Sequence, residues 1–153
     1  MRVFLCPYGG FSLAIPTDIV LSVTLHSRVT GNTVEYNQEN QNTYISLPLL
    51  FNCAGREVMH GIILKDGNDE LPENKFVLLT YKIENETELD ANKIYPLPKS
   101  FSFMKFSHFF EGIAFSKPRQ HEKTPGDIQA QDLVLLLNPP RIVQNIKKEL
   151  KYD

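Results

Sequence analysis

Nothing in this chain is spaced like a reaction centre. Its four histidines, His26, His60, His108 and His121, stand far apart, and none shares a metal-type spacing with another histidine or with a cysteine. The two cysteines, Cys6 and Cys53, belong to no CxxC pair and no nucleophile signature, so they read as buried thiols packing like small hydrophobes. Glu84, Glu86, Glu88 and Asp90 could supply paired carboxylates for acid and base work, or oxygens for calcium. That run lacks the glycine and the ligand periodicity of a calcium loop, and acidic side chains at alternate positions are what a strand with one face in water presents. Tyr8-Gly9-Gly10-Phe11 is too short to cradle a phosphate and serves better as a turn. There is no P-loop, no GxGxxG and no GxSxG. The expectation is a chain with no catalytic residue, no cofactor and no metal ligands.

The length of 153 residues suits one domain, or two small lobes sharing a core. Hydrophobic residues make up 42% and charged residues 22%, enough apolar material for a chain that folds alone. A formal net charge of -2 offers no basic field for nucleic acid or an anionic membrane. The apolar start is short and broken by Pro7, Gly9 and Gly10, which fits no signal peptide. With at most one disulfide available, a reducing, cytoplasmic setting is expected, and no apolar run is long enough to span a bilayer as a helix.

Short β-type runs dominate the chain. Arg2 to Leu5 and Phe11 to Ile15 flank the glycine pair as a hairpin. Asp18 to Val23 reads either as a helical turn capped by Thr17 or Asp18, or as a continuing strand. Ser27 to Thr43 is rich in Asn, Gln, Thr and Gly and is either a long exposed loop or a weak edge strand. Tyr44 to Phe51 restores alternation, with Pro48 marking a strand edge or end. Met59 to Leu64 is another strand, and Asp66 to Glu70 a solvated turn. Phe76-Val77-Leu78-Leu79-Thr80-Tyr81 is a continuous apolar run, expected as a central strand buried on both faces. Ile83 to Asp90 reads as a strand with an acidic outer face.

After the break at Pro96-Leu97-Pro98, six phenylalanines crowd into a short region: Phe101, Phe103, Phe106, Phe109, Phe110 and Phe115. Most belong in a core, since aromatic rings carry much of a small domain's burial. Phe101, Phe103 and Phe106 are not spaced to share one strand face, and they are the candidate residues of an exposed protein-binding patch. Phe109 to Phe115 and Leu133 to Asn138 are strands joined by a flexible loop over Lys117 to Gln131. Pro139 and Pro140 then open a helix whose Ile142, Val143, Ile146 and Leu150 form a docking stripe, with Lys147, Lys148 and Lys151 placed to suit its dipole. The fold class is all-β with a C-terminal α-helix, and two halves built of short strands are compatible with a pair of small barrels.

The order of these elements resembles the CheW-like domain of bacterial chemotaxis coupling proteins. Phe11-Ser12-Leu13-Ala14-Ile15-Pro16 with Val20 and Val23 looks like the family's opening pattern, and Ile45 to Phe51 is similar to its proline-containing strand. Ile94-Tyr95-Pro96-Leu97-Pro98, Phe110-Glu111-Gly112-Ile113-Ala114-Phe115 and Leu133 to Pro139 are similar to its closing strands and helix entry. The resemblance implies a single domain over residues 1–153, built of two intertwined SH3-like β-barrel lobes that share a core. It also implies a non-enzymatic adaptor of a chemotaxis-type signal transduction complex, bridging the regulatory domain of a histidine kinase and the cytoplasmic tip of chemoreceptors through apolar surfaces. The chain departs from the family in Ser27 to Thr43, a shortened polar tract without the family's glycine, asparagine and Arg-Gly strand, so a trimmed or remodelled first barrel is expected.

The alternative is a small β-barrel enzyme or ligand-binding protein with a site between the lobes, using the acidic residues or His60 and His108 as its polar groups. Under the adaptor reading, Phe103→Glu or Phe106→Glu weakens partner binding in calorimetry and leaves the circular dichroism spectrum unchanged. Loss of the folded spectrum would instead assign these rings to the core.

Overall fold

The structure is a computed structural model and describes residues 1–8, 10–25, 36–39, 42–51, 60–65, 75–84, 86–101, 107–115 and 133–150. It divides into two units, one formed by Met1–Pro16 with Glu84–Asp153 and the other by Thr17–Ile83.

The first unit is built on the N-terminal hairpin. Strands β1 (Arg2–Pro7) and β2 (Ser12–Pro16) pair antiparallel with Leu5 opposite Ala14. Their turn is closed by the Tyr8 amide donating to the Phe11 carbonyl at 2.8 Å, and the two rings stack with centroids 5.6 Å apart. Two long-range strands complete the sheet beyond β2. Strand β10 (Leu133–Leu137) lies parallel to β2 with Leu135 beside Leu13, and β9 (Phe110–Phe115) lies antiparallel to β10. On the other side of β1 stands β8 (Glu86–Glu88), giving the order β8-β1-β2-β10-β9. Val3, Ala14, Leu89, Ala114, Val134 and Leu136 form one buried cluster, with Leu5 and Ile94 packed against it.

Helix α2 (Pro139–Leu150) follows β10 directly. Prolines fit its first positions because those backbone N–H groups have no intrahelical acceptor. Asn138 supplies the cap, its carbonyl and its Oδ1 both accepting from the Arg141 amide at 3.1 and 3.3 Å. Arg141 in turn reaches from the helix to donate to the carbonyls of His108 and Phe110, at 3.1 and 3.3 Å. The helix is thereby tied to the turn Ser107–Phe109 that leads into β9, while Ile142 and Ile146 are buried. Leu150 closes the helix, and its side chain lies outside the described residues.

In the second unit the sheet order is β3 (Val20–Leu25), β6 (His60–Leu64), β7 (Phe76–Thr80), β5 (Asn42–Ser46) and β4 (Tyr36–Glu39). The central strand is β7, antiparallel to β6, parallel to β5 and buried at all five positions. Ile62, Leu78 and Ile45 lie side by side across three strands on one face, all fully buried. On the other face Val77 and Leu79 are covered by Tyr44 and Ile63. Burying a side chain of this kind contributes about 1.5–3 kcal/mol, so such rows dominate the unit's stability. Gly61 keeps β3 close, because a Cβ there would lie 3.1 Å from both Thr24 Oγ1 and Val77 Cγ1.

Two five-stranded sheets, one in each unit, and a C-terminal helix give the all-β, two-lobed class expected from the strand pattern. Several boundaries differ. The run from Tyr44 to Phe51 is a strand only to Ser46; Leu47–Leu50 forms the helical turn α1, with Pro48 near its start and Ser46 Oγ accepting from the Leu49 amide at 3.4 Å. Asp18 to Val23 is both of the forms considered, a 3-10 turn over Thr17–Ile19 and then β3. The strand expected over Ile83 to Asp90 shrinks to Glu86–Glu88, since Asp90 leaves the sheet to accept from the Asn92 amide at 2.9 Å. Within Ser27 to Thr43, residues 36–39 form the edge strand β4, and Asn42 and Thr43 open β5. The remainder of that tract, the turn Asp66 to Glu70 and the loop Lys117 to Gln131 lie outside the described residues.

Ile142 and Ile146 are buried apolar side chains of α2, and Ile142 is the deeper, with 1% of its surface exposed. Ile142→Ala is expected to lower unfolding free energy by about 2–5 kcal/mol in urea denaturation, whereas Gln144→Ala on the exposed side shifts it by less than about 0.5 kcal/mol.

Candidate protein-binding surfaces

Apart from Met1, the large apolar side chains that the described residues leave in water fall on two surfaces, one in each unit. In the first unit the surface is built on the outer side of β9. The chain at Tyr95 approaches that strand closely enough for a two-way backbone bridge, the Tyr95 amide donating to the Ile113 carbonyl at 2.8 Å and the Ile113 amide returning a bond to the Tyr95 carbonyl at 2.7 Å. Gly112 makes the approach possible. A Cβ at that position would stand 2.6 Å from the Tyr95 carbonyl oxygen, which is backbone and cannot swing away, and 2.8 Å from the Ile94 side chain at Cγ2.

The bridge places Tyr95 beside Phe115 at the end of β9, ring centroids 6.4 Å apart and planes tilted by 53°. Both rings are more than half exposed, at 51% and 60%. Lys93, Pro96, Pro98 and Lys99 are exposed along the same stretch of chain. An aromatic pair held by backbone bonds, with cationic and proline neighbours, has the composition of a protein interface core and its rim. Fixing the rings before contact also reduces the ordering cost of association.

The second surface is β3. Leu21, Val23 and Leu25 are 53%, 37% and 80% exposed, and Ser22 and Thr24 are exposed as well. Only β6 lies beside this strand among the described residues, with Val23 opposite Ile62 and Leu25 opposite His60.

Of the residues singled out from sequence, Phe101 closes the 3-10 turn Lys99–Phe101, its side chain outside the described residues, as are Phe103 and Phe106 entirely. Phe109 and Phe110 are buried as expected, while Phe115, grouped with them by aromatic density, is exposed. Tyr95 and Phe115 carried one weak signal in the sequence: each borders a break, Tyr95 before Pro96 and Phe115 before a polar loop.

The polar groups of the enzyme alternative are distributed between the units. His60 belongs to the second and its Nδ1 is buried with no hydrogen-bond partner among the described residues. His108 belongs to the first, exposed, with its ring 4.1 Å from that of Phe109. His26, His121 and Cys53 lie outside the described residues, and Cys6 is buried. Glu86 and Glu88 are exposed and make surface ion pairs, Glu86 with Arg2 at 3.3 Å and Glu88 with the Met1 amino group at 2.9 Å. Among the described residues no three His, Cys, Asp or Glu side chains are grouped to hold a metal ion, and no helix is long and apolar enough to cross a membrane.

No protein-family model matches the chain, and no curated protein matches its sequence. Among solved structures, the scaffolding protein TtCheW from Thermoanaerobacter tengcongensis matches with a TM-score of 0.61, covering 89% of this chain and 82% of its own at 16% identity. The chain has a CheW-like fold. At that identity the likeness is one of backbone fold.

Because Gly112 seats Tyr95, Gly112→Ala is expected to destabilise the protein by about 1–3 kcal/mol and to speed hydrogen exchange at the Ile113 amide. Gly10→Ala, where an added Cβ meets nothing within 4 Å, is the control and leaves both unchanged.

Proposed function

We propose that this chain is a non-enzymatic cytoplasmic adaptor of a chemotaxis-type signal transduction complex, which bridges a histidine kinase and chemoreceptors through apolar surfaces. The CheW-like fold supports the general role, the similar structure being that of a scaffolding protein. The observation that carries the reading is the exposed Tyr95 and Phe115 pair, fixed to the edge of a buried sheet by the bridge across Gly112. A catalytic protein would spend its fixed geometry on polar groups that converge on a substrate. Here it holds two rings in water, where they weaken solubility unless a partner covers them.

Phe101, Phe103 and Phe106 follow Tyr95 in sequence after the Pro96-Leu97-Pro98 break, and the proposal includes them as partner-binding residues. The proposal assigns the kinase regulatory domain to the face that carries Tyr95 and Phe115. Adaptors of this kind gain most of their affinity from a few buried aromatic anchors surrounded by near-neutral contacts.

Calorimetry with a chemotaxis kinase regulatory domain and, separately, with a receptor cytoplasmic tip tests the reading. Binding is expected to one or both, and Phe115→Glu weakens the kinase complex by about 2 kcal/mol, roughly thirtyfold in Kd. Absence of binding to either at about tens of micromolar removes the proposal.

A further inference from the structure

Four strands form the sheet edges among the described residues, and three of them are protected. Strand β8 is three residues long and presents Glu86 and Glu88 to water. Strand β4 is four residues long and reads Tyr-Asn-Gln-Glu. The outer side of β9 is bridged by the Tyr95 backbone. Short length, charge and a covering segment are the ordinary means by which an edge is kept from pairing with another chain.

Among the described residues strand β3 has none of these. It runs for six residues, Val20-Leu21-Ser22-Val23-Thr24-Leu25, without a charge or a proline, and five of the six are exposed. A register shift between Val20 and Ser22 bends its start, which leaves Ser22 to Leu25 as the regular part. Such an edge offers a row of backbone donors and acceptors to an incoming strand, together with apolar side chains to cover.

We propose that the occupant of this edge is a second copy of the same chain, paired antiparallel about a two-fold axis through Val23. The sequence of the strand is close to a palindrome. Pairing it with itself sets Val23 against Val23 and Ser22 of one copy against Thr24 of the other, and brings Leu25 beside the bulged start of its partner, where Leu21 stands. Aliphatic residues meet aliphatic residues and hydroxyls meet hydroxyls, which are the favourable cross-strand pairs. With no charge on the strand, the two-fold brings no like charges together, and a self-complementary patch is what an isologous dimer requires. The five-stranded sheets of two copies then join as one continuous sheet.

One strand pair covers less than the ~800 Å² per partner of a standard interface, so the dimer is reversible and concentration-dependent. The inference goes beyond the adaptor reading and does not rest on it, because its test contains neither kinase nor receptor.

Sedimentation velocity on the full chain, from about one to several hundred micromolar, is expected to show monomer passing to dimer. Val23→Lys puts two ammonium groups at the axis and weakens that equilibrium by about tenfold or more. Should Val23→Lys lose its folded circular dichroism spectrum, cysteine substitution decides the matter. Val23→Cys is expected to form a disulfide-linked dimer on oxidation, above the level seen for the unsubstituted chain, and Thr24→Cys, which faces Ser22, to form little. A monomer throughout, a dimer that a folded Val23→Lys leaves unchanged, or linkage at Thr24→Cys equal to that at Val23→Cys overturns the proposal.

Discussion

The parallel pairing of β2 with β10 is the constraint on which the first unit depends. The hairpin of β1 and β2 is only a two-stranded ribbon, and such ribbons are marginal in water. It becomes the middle of a sheet because Val134, Leu135 and Leu136 return from the far end of the sequence to lie beside Ser12, Leu13 and Ala14. Parallel strands cannot be joined by a tight turn and need a crossover connection. Here that connection contains the whole second unit as well as β8 and β9, so the unit is assembled from the two ends of the chain. The second unit repeats the device with β5 parallel to β7 and β6 as the intervening strand. Contacts so distant in sequence carry a large loop-closure cost before they stabilise anything, and it is offset by fully buried side chains such as Leu13, Ile15, Leu78 and Leu136.

A sheet completed in this way still has edges, and their treatment decides what the surface can do. Ion pairs on β8 contribute little to stability, at most about 1 kcal/mol each at this exposure. Their importance is that charge keeps the edge hydrated. On β9 the Tyr95 segment both occupies the edge and raises an aromatic pair above it, so one backbone bridge protects the sheet and builds a surface. On β3 neither happens among the described residues. The contrast within one molecule separates an edge whose covering segment itself builds a surface from an edge that presents five of its six residues to water.

Helix α2 shows how local chemistry and tertiary packing meet. Asn138 caps the helix and also donates from Nδ2 to Glu111 on β9 at 2.6 Å, while its own amide donates to the Phe109 carbonyl at 2.7 Å. Arg141 adds two bonds to the same neighbourhood. The helix start, the turn Ser107–Phe109 and the entry to β9 therefore form one hydrogen-bonded corner, and the position of Gly112 and Phe115 follows from it.

The sequence by itself determined the elements whose signal is local. The glycine pair between apolar runs specified the N-terminal hairpin, the continuous run Phe76 to Tyr81 specified a central strand, and paired prolines before Ile142 and Ile146 specified the terminal helix. It also showed that no residues are spaced as a reaction centre. Tertiary structure decided what depends on distant partners. Leu47 to Phe51 has the composition of a strand, yet it turns because Ser46 and Pro48 start a helical turn there. Glu84 to Asp90 alternates throughout, yet among the described residues the ladder with β1 runs over Glu86–Glu88, with the Glu84 amide adding one bond to the Leu5 carbonyl at 2.7 Å. Phe115 is as apolar as Phe110, and only the register of β9, with Tyr95 lying across Gly112, leaves one ring in water and the other in the core. Alternation identifies faces, but which face meets protein and which meets water is settled by the strand that returns to lie beside it.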